Sequence, residues 1–176
     1  MKKRKIDVNE YAGFINKSLP TGILLTTKAD EKVNSMVIGW GTLGINWGQP
    51  VFVCYVRDSR FTKQLIDQNL EFTINVPIGE FDREIIKVCG KESGRDVDKI
   101  RKLGLTLVEA ESIAVPAIKE FPLTLECRVI YSQREDIDLL EESIRNRAYR
   151  PSAEGVCDIH TAYYGRIQDA YIIEED

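Results

Sequence analysis

The stretch Val51-Phe-Val-Cys-Tyr-Val-Arg-Asp-Ser-Arg-Phe-Thr62 joins an apolar run to a polar turn. Its first half predicts a buried strand, and the residues that follow it have helical character. A short polar turn between a strand and a helix brings together free backbone N–H groups and the positive end of the helix dipole, which favour a bound anion. Arg57 and Arg60 add planar guanidinium groups that match phosphate oxygens. The alternative is an ordinary polar turn in which Ser59 caps the helix.

Strand-like segments recur along most of the chain. Runs that alternate apolar and polar residues, or that are apolar between turn residues, predict strands. The predicted strands are 22–27, 33–42, 51–56, 71–76, 105–108, 123–131 and 160–173, with loops at 44–50 and 146–155. Short helices are predicted at 64–69, 81–88, 96–102 and 137–144. Many strands with few short helices favour an antiparallel barrel over alternating strand and helix units, so the expected fold class is mainly β.

Size and charge narrow the classes of protein further. The chain has 176 residues, of which 43% are hydrophobic and 30% charged, and this suits a single domain over residues 1–176. A formal net charge of -4 argues against nucleic acid as a partner. The basic run Lys2-Lys-Arg-Lys5 predicts a frayed, solvated tail, and residues 1–10 are expected to be flexible or loosely attached.

Patterns for membrane spans, export and metal binding are missing from the sequence. No stretch of about 18 apolar residues occurs, and no apolar region follows the basic N-terminus as in a signal peptide. The four cysteines are widely spaced and form no C-x-x-C pair, and a single histidine adds no clustered zinc ligands. We therefore expect no membrane contact, no metal site, reduced thiols and a cytoplasmic location.

The sequence offers binding groups without an obvious acid–base set. Histidine chemistry is limited to His160, and no nucleophile-elbow, zinc-protease or phosphate-loop signature occurs. Gly39-Trp-Gly41 lacks the glycine spacing and the following helix of a dinucleotide fingerprint. This pattern is typical of a protein in which a cofactor carries the chemistry.

Two further segments could line a ligand. Residues 34–43 mix strand formers with two glycines, and glycines in a strand let a flat ligand approach the backbone. The alternative is a core strand in which Met36 and Trp40 pack inside. Residues 89–99 form a glycine-bearing loop with two lysines and an arginine, which could close over a ligand. A solvated loop in which Asp96 caps the next helix explains this second segment equally well.

The order of these segments resembles that of the flavin reductase-like family, whose members have an FMN-binding split barrel. The resemblance covers roughly residues 15 to 173. Each motif is weak by itself, and six of them in the family's order make a specific signal. The matching pieces are Asn34 to Thr42, Arg57 to Thr62, Phe72 to Pro77, Ser93 to Lys99, Phe121 to Cys127, and His160 with Tyr164 to Ile167.

The resemblance implies FMN as the cofactor and a role for each matching residue. Those that would line the isoalloxazine and its polar edge are Asn34, Met36, Trp40, Gly41 and Thr42. Those that would hold the phosphate and the ribityl chain are Arg57, Ser59, Arg60 and Thr62. Asn75 would sit near the polar rim of the flavin, and Lys99 would approach it from the neighbouring loop. His160 is the candidate catalytic residue that touches the nicotinamide or its phosphates, unless it is simply hydrogen-bonded in a strand pair.

The resemblance implies an NAD(P)H-dependent flavin reductase that passes hydride from NADH or NADPH to FMN. Two alternatives stay open, a flavoredoxin-like electron carrier reduced by a protein partner and a non-enzymatic flavin-binding protein. The family is commonly dimeric, so a homodimer with the flavin near the interface is expected, and some site residues would then serve the partner's site. Residues 135–152 have no family counterpart, and they predict a solvated charged face or else a lid or dimer-contact helix.

Overall fold

The computed structural model describes residues 1–175. Within that range no helix has the length and apolar character needed to cross a membrane. The helices are α1 Val8–Ser18, α2 Phe61–Asn69, α3 Arg83–Lys91, α4 Lys99–Leu103 and α5 Glu142–Ala148, with 3₁₀ turns at Leu19–Thr21 and Ile137–Leu139. The strands are β1 Lys2–Lys5, β2 Ile23–Ala29, β3 Lys32–Ile38, β4 Gly41–Asn46, β5 Gln49–Arg57, β6 Glu71–Val76, β7 Leu107–Val108, β8 Ala117–Ile118, β9 Leu123–Arg134 and β10 His160–Glu174.

One antiparallel sheet dominates the molecule, as the mainly β prediction requires. Its strands follow the order β3-β2-β6-β9-β10-β5-β4, and β1 pairs with β10 beside this path. The end strands β3 and β4 are consecutive in the chain. The main hydrophobic core draws on β2, β5, β6 and β10, with Leu25, Phe52, Phe72 and Tyr163 all essentially inaccessible to solvent.

The longest strand, β10, pairs irregularly with β9. Its pairing with β9 shifts register between Tyr164 and Gly165 and again between Ile167 and Asp169. A Cβ at Gly165 would lie 2.3 Å from Cζ of Phe72, so only glycine lets the strand approach that ring. Gly165 therefore combines a bulge in the β9–β10 pairing with a close approach to the core.

The N-terminal residues are part of the sheet. Lys2–Lys5 pairs with β10 in a register that places Lys3 opposite Ile173, and Lys3 also forms an ion pair with Glu111 at 2.8 Å. Asp7 then caps α1 by accepting a hydrogen bond from the backbone N–H of Asn9. The prediction of a frayed, loosely attached tail is wrong, because β10 offers an open ladder edge that charge patterning alone does not reveal.

Three predicted elements are divided or changed in kind in the structure, and several others differ only at their ends. The strand predicted at 33–42 is split into β3 and β4 around Gly39 and Trp40. The loop predicted at 44–50 is instead a tight β4–β5 hairpin, whose turn residues Trp47 and Gly48 both have positive φ. The helix predicted at 137–144 is a 3₁₀ turn capped by Asp136, followed by an extended residue and then α5, so its apolar spacing did not predict the break.

Helices α3 and α4 pack on the outer face of β2 and β3. A second core joins Leu24 of β2 to Ile85 and Cys89 of α3 and to Phe121. This packing brings the loop between the two helices against β3. Helix α4 is capped by Asp98, whose side chain accepts from the N–H of Arg101, so the cap lies two residues after Asp96.

Candidate functional site

Two small cavities meet where β3 and β5 end and α2 begins. The first, of about 180 Å³, is called the aromatic cavity here, and its lining includes Trp40, Tyr55 and His160. The second, of about 130 Å³, is called the cationic cavity, and its lining includes Thr62, Ser93, Arg95 and Lys99. Met36 and Arg60 line both, so the two cavities are direct neighbours.

Three cations that line the cationic cavity, Arg60, Lys91 and Lys99, have no hydrogen-bond or ion-pair partner within residues 1–175. Lys99 is only 3% exposed, and its ammonium forms no hydrogen bond or ion pair with any residue in the described range 1–175. Burial lowers the pKa of Lys99, the Cys89 thiol opposes that shift, and the nearby Arg60 adds to it. The guanidinium of Arg60 is likewise unpaired within these residues. Arg60 is exposed, whereas an unpaired buried cation such as Lys99 is costly, so this cavity is suited to an anion.

The wall of the cationic cavity is closely packed. The Asn34 amide donates a hydrogen bond to the Thr62 hydroxyl at 2.8 Å, which ties β3 to the first turn of α2. A Cβ at Gly94 would lie 2.1 Å from Oδ1 of Asn34 and 2.8 Å from Cδ1 of Phe61, so the loop passes directly over both residues. Arg95 completes this contact by donating to the Ser59 carbonyl at 2.9 Å.

The turn that precedes α2 is engaged by a distant part of the chain. Asp158 accepts hydrogen bonds from the backbone N–H and from the hydroxyl of Ser59. Arg57 donates to the carbonyls of Asp158 at 2.6 Å and of Ala148 at 2.9 Å. Ser59 therefore does not cap α2, whose N-cap residue is Arg60 without a side-chain cap. The structure gives Arg57 and Ser59 this intramolecular role, and their phosphate contact stays a prediction.

His160 closes the aromatic cavity from the first position of β10. Its ring centroid lies 4.8 Å from that of Trp40, and its Nδ1 lies 2.7 Å from the Tyr149 hydroxyl. Burial, together with the positive charge of Arg57, lowers the pKa of His160 to about 4, so the imidazole is neutral at pH 7. The backbone of His160 also pairs with Arg57 of β5, as the alternative interpretation of a histidine in a strand pair expects. The two readings are compatible, because the backbone pairs while the ring lines the cavity.

Most of the sequence-predicted site residues are brought together. Asn34, Met36, Trp40, Arg57, Ser59, Arg60, Thr62, Lys99 and His160 line the aromatic or the cationic cavity. Gly41 and Thr42 line a third, larger cavity of about 650 Å³, called the outer cavity here, which shares Trp40 and Tyr55 with the aromatic cavity. A Cβ at Gly41 would lie 2.7 Å from Cζ of Phe52, so core packing already requires glycine there.

Asn75 lies elsewhere. Its side chain is fully buried, its carbonyl oxygen accepts from Thr26 and Thr73, and its amide donates to Thr124 at 3.1 Å. It pairs with Leu24, which packs against α3. The assignment of Asn75 to the flavin rim is wrong, because every polar atom of its amide is used in this internal network.

Sequence reasoning missed the residues that reach the site from a distance. Glu135, Tyr149 and Asp158 come from the segment after β9, and Tyr149 is only 4% exposed although this segment was predicted to be a solvated face. Their partners lie between 11 and 101 residues away in the chain, so no local pattern could have marked them. Arg95 belonged to the loop already singled out as a possible ligand cover.

Comparison with known proteins agrees with this geometry. The model of the flavin reductase like domain matches residues 17–176. The chain belongs to the flavin reductase-like family. Its fold is the split barrel of that family, since the FMN-binding domain of a flavin reductase-like enzyme from Shewanella baltica superposes with a TM-score of 0.68 at 15% identity, over 97% of this chain and 77% of that one.

Two other relatives are more similar in sequence to this flavin reductase-like chain. Flavoredoxin of Desulfovibrio vulgaris is 25% identical with a TM-score of 0.65, over 87% of this chain and 69% of that one. An uncharacterised protein of Archaeoglobus fulgidus is 33% identical over 122 residues, which are 69% of this chain and 68% of the relative.

Proposed function

We propose that this single-domain protein binds FMN across the aromatic and cationic cavities and accepts hydride from NADH or NADPH. The observation that carries the proposal is the buried, unpaired Lys99 beside the Thr62 hydroxyl at one end of a site whose other end is aromatic, with the unpaired Arg60 lining both parts. A ligand with a phosphate at one end and a flat ring at the other matches both ends at once.

The residues present fit FMN. Arg60 and Lys99 would bind the phosphate, and Asn34, held by Thr62, would orient the chain between phosphate and ring. Met36 and Trp40 would line the ring, because a polarizable thioether and an aromatic face both pack well on a flat heterocycle. Bound FMN would supply the two-electron redox chemistry that the side chains of this protein lack.

The outer cavity has room for the hydride donor. It lies next to the aromatic cavity, with the half-exposed Trp40 between them and Tyr55 common to both. A nicotinamide entering from the outer cavity would therefore meet the flavin beside Trp40 and His160. The neutral imidazole of His160 would contact the nicotinamide by a hydrogen bond and would not repel the cationic ring of the oxidised nicotinamide.

Anaerobic reduction and one variant test the proposal together. The purified protein should take up FMN, and NADH or NADPH should bleach its visible absorption in the absence of oxygen. Arg60→Ala should raise the Kd for FMN roughly ten- to hundredfold, the loss expected for a charge-assisted hydrogen bond. Arg83→Ala, an exposed arginine at the start of α3, is the matched control and should leave Kd unchanged. An unaltered Kd in Arg60→Ala would remove the phosphate assignment.

A second function is favoured by the similarity to flavoredoxin. In that case the bound FMN would receive electrons from a protein partner, and neither pyridine nucleotide would bleach it. A ferredoxin-type donor would then reduce the flavin in the absence of NADH and NADPH. Failure of both routes with FMN bound would leave a non-enzymatic flavin-binding protein.

The proposal includes a homodimer. A group of aromatic side chains on β4–β5, β9 and β10 supports it, with the exposed Trp47 5.8 Å from the partly buried Tyr164 and 6.0 Å from the exposed Tyr131 between ring centroids. Exposed aromatic residues of this kind are enriched at protein interfaces. Sedimentation equilibrium tests this part, and Trp47→Ser should shift the mass toward that of the monomer.

A further inference from the structure

Three side chains form a chain of hydrogen bonds that joins His160 of the aromatic cavity to Glu135, which lines the outer cavity. The Tyr149 hydroxyl donates to the Glu135 carboxylate and also lies 2.7 Å from Nδ1 of His160. Glu135 itself lies 3.8 Å from the same nitrogen. Tyr149 is therefore the link between an acidic side chain and the only histidine of the protein.

The hydrogen bonds of Tyr149 determine which ring nitrogen of His160 bears the proton. A phenol has one proton, and an ionised carboxylate can only accept a hydrogen bond. Because the Tyr149 hydroxyl donates its hydrogen bond to Glu135, the contact with His160 requires a proton on Nδ1 of the imidazole, which donates to the Tyr149 oxygen. Burial and the negative charge of Glu135 both raise the pKa of Tyr149, so the phenol keeps its proton at neutral pH. The neutral ring then has a bare lone pair on Nε2.

The surroundings hold this arrangement in place. Arg57 donates to the Ala148 and Asp158 carbonyls on either side of Tyr149, and its guanidinium lies 5.4 Å from the centre of the Tyr149 ring. The backbone N–H of Glu135 donates to the His160 carbonyl at 3.0 Å. Tyr149 thus has a fixed ring and a fixed partner on each side, which is what a positioning residue needs.

Nε2 is the ring atom left for a ligand. It makes no hydrogen bond within residues 1–175, and His160 lines the aromatic cavity. The charged groups around the ring are Arg57, Asp58, Arg60, Glu135 and Asp158. Burial and Arg57 are the largest influences, and they disfavour a second proton on the imidazole.

We propose that Glu135 and Tyr149 are positioning residues that hold neutral His160 as its Nδ1–H tautomer, so that Nε2 accepts a hydrogen bond from the cavity ligand. The ligand must then present an N–H or O–H group to this atom, and a carboxamide satisfies that requirement. Identifying the carboxamide as that of a nicotinamide rests on the proposed function, whereas the tautomer does not.

Nitrogen-15 NMR of the protein without flavin tests the tautomer directly. Because the chain has one histidine, long-range ¹H–¹⁵N correlations of the imidazole belong to His160 alone. At pH 7 we expect a protonated, pyrrole-type Nδ1 and an unprotonated, pyridine-type Nε2. A pyrrole-type Nε2 in the wild-type protein would overturn the proposal, whatever the protein does with flavins.

Two variants probe the direction of the hydrogen bonds. Glu135→Gln can donate its amide N–H to the tyrosine oxygen, which frees the Tyr149 proton for Nδ1 of His160, so the tautomer should switch to Nε2–H. Tyr149→Phe removes the link and should leave a mixture of tautomers. Tyr131→Phe, an exposed tyrosine that donates only to Gln133, is the control and should leave the wild-type pattern. An unchanged tautomer in both site variants would refute the positioning role.

Kinetics would then connect the tautomer to the ligand. If the proposed function holds, Glu135→Gln should raise KM for NADH or NADPH about tenfold with a smaller change in kcat, because a donor replaces the acceptor that the carboxamide needs. A normal KM in a variant whose NMR spectrum shows the Nε2–H tautomer would overturn the carboxamide contact. A flavin that is never bleached would argue against the proposed function and leave the NMR result standing.

Discussion

The carboxylate of Asp158 accepts hydrogen bonds from both the backbone N–H and the hydroxyl of Ser59, at 2.9 and 2.7 Å. The turn before α2 therefore does bind an anion, and that anion is a side chain from 99 residues further along the chain. This contact holds the segment that carries Tyr149 over the site. We therefore expect a phosphate to bind at Arg60 and Lys99, which line the adjacent cationic cavity.

Removing this carboxylate should loosen the segment locally. In Asp158→Ala we expect amide hydrogen exchange at Ser59 to become about tenfold faster, which corresponds to the loss of roughly 1.5 kcal/mol from charge-assisted hydrogen bonds. Asp58→Ala is the control, because Asp58 pairs with the exposed Arg134 at 2.9 Å and should affect Ser59 little. Equal exchange rates in wild type and Asp158→Ala would show that the contact does not hold the turn.

We expect Lys99 to lower the stability of the flavin-free protein and to strengthen FMN binding. Lys99→Met keeps the volume of the side chain and removes an unpaired buried ammonium, so the flavin-free protein should become more stable by about 1–2 kcal/mol. The same change should raise the Kd for FMN at least roughly tenfold. Urea denaturation and fluorescence titration of FMN give the two quantities. A variant that loses stability and keeps its affinity would contradict the role of Lys99 as an anion ligand.

The lowered pKa of Lys99 adds a pH dependence to this prediction. The unfolded chain holds the Lys99 proton more tightly than the folded protein does, so the free energy of unfolding should rise as the pH approaches 10.5 from below. Comparing wild type with Lys99→Met isolates this component from the tyrosines that titrate nearby. Parallel stability curves for the two proteins would show that the ammonium is solvated.

His160 should make the protein less stable in mild acid. Its pKa is about 4 in the folded protein and about 6.5 when unfolded, so the unfolded chain binds the proton first as the pH falls. The free energy of unfolding should therefore fall between pH 6.5 and pH 4, by up to about 3 kcal/mol from this residue. His160→Asn, whose amide can still donate to Tyr149, should lack that component in urea denaturation. A variant that loses as much stability as wild type over this range would exclude His160 as the cause.

Gly94 should be intolerant of any side chain. Gly94→Ala would place a Cβ against Asn34 and Phe61, so we expect a loss of about 1–3 kcal/mol in the free energy of unfolding and weaker FMN binding. Gly13→Ala is the matched control, because nothing lies within 4 Å of the added Cβ in α1, and it should stabilise the protein by about 0.5–1 kcal/mol. Thermal and urea denaturation measure both. A harmless Gly94→Ala would mean that the loop moves away readily.

The sequence by itself determined the mainly β class, most strands, and the order of the segments that carry the family resemblance. Apolar alternation and turn residues are local signals, so the elements they mark can be predicted without tertiary information. The family resemblance also predicted that Arg60, Thr62, Lys99 and His160 belong to the site, and the cavities bring these residues together. The resemblance misplaced Asn75, because a polar residue in a strand looks the same whether it faces a ligand or an internal network.

Only the tertiary structure decided which polar groups remain available to a ligand. Ser59 is used by Asp158 and the Arg57 guanidinium by two carbonyls, whereas Arg60 and Lys99 are unpaired within residues 1–175. The structure likewise joined β1 to β10 and Glu135 to His160 through Tyr149. The physical reason is that a hydrogen bond or ladder contact between distant residues depends on where the whole chain has packed, which a local pattern of residue types does not contain.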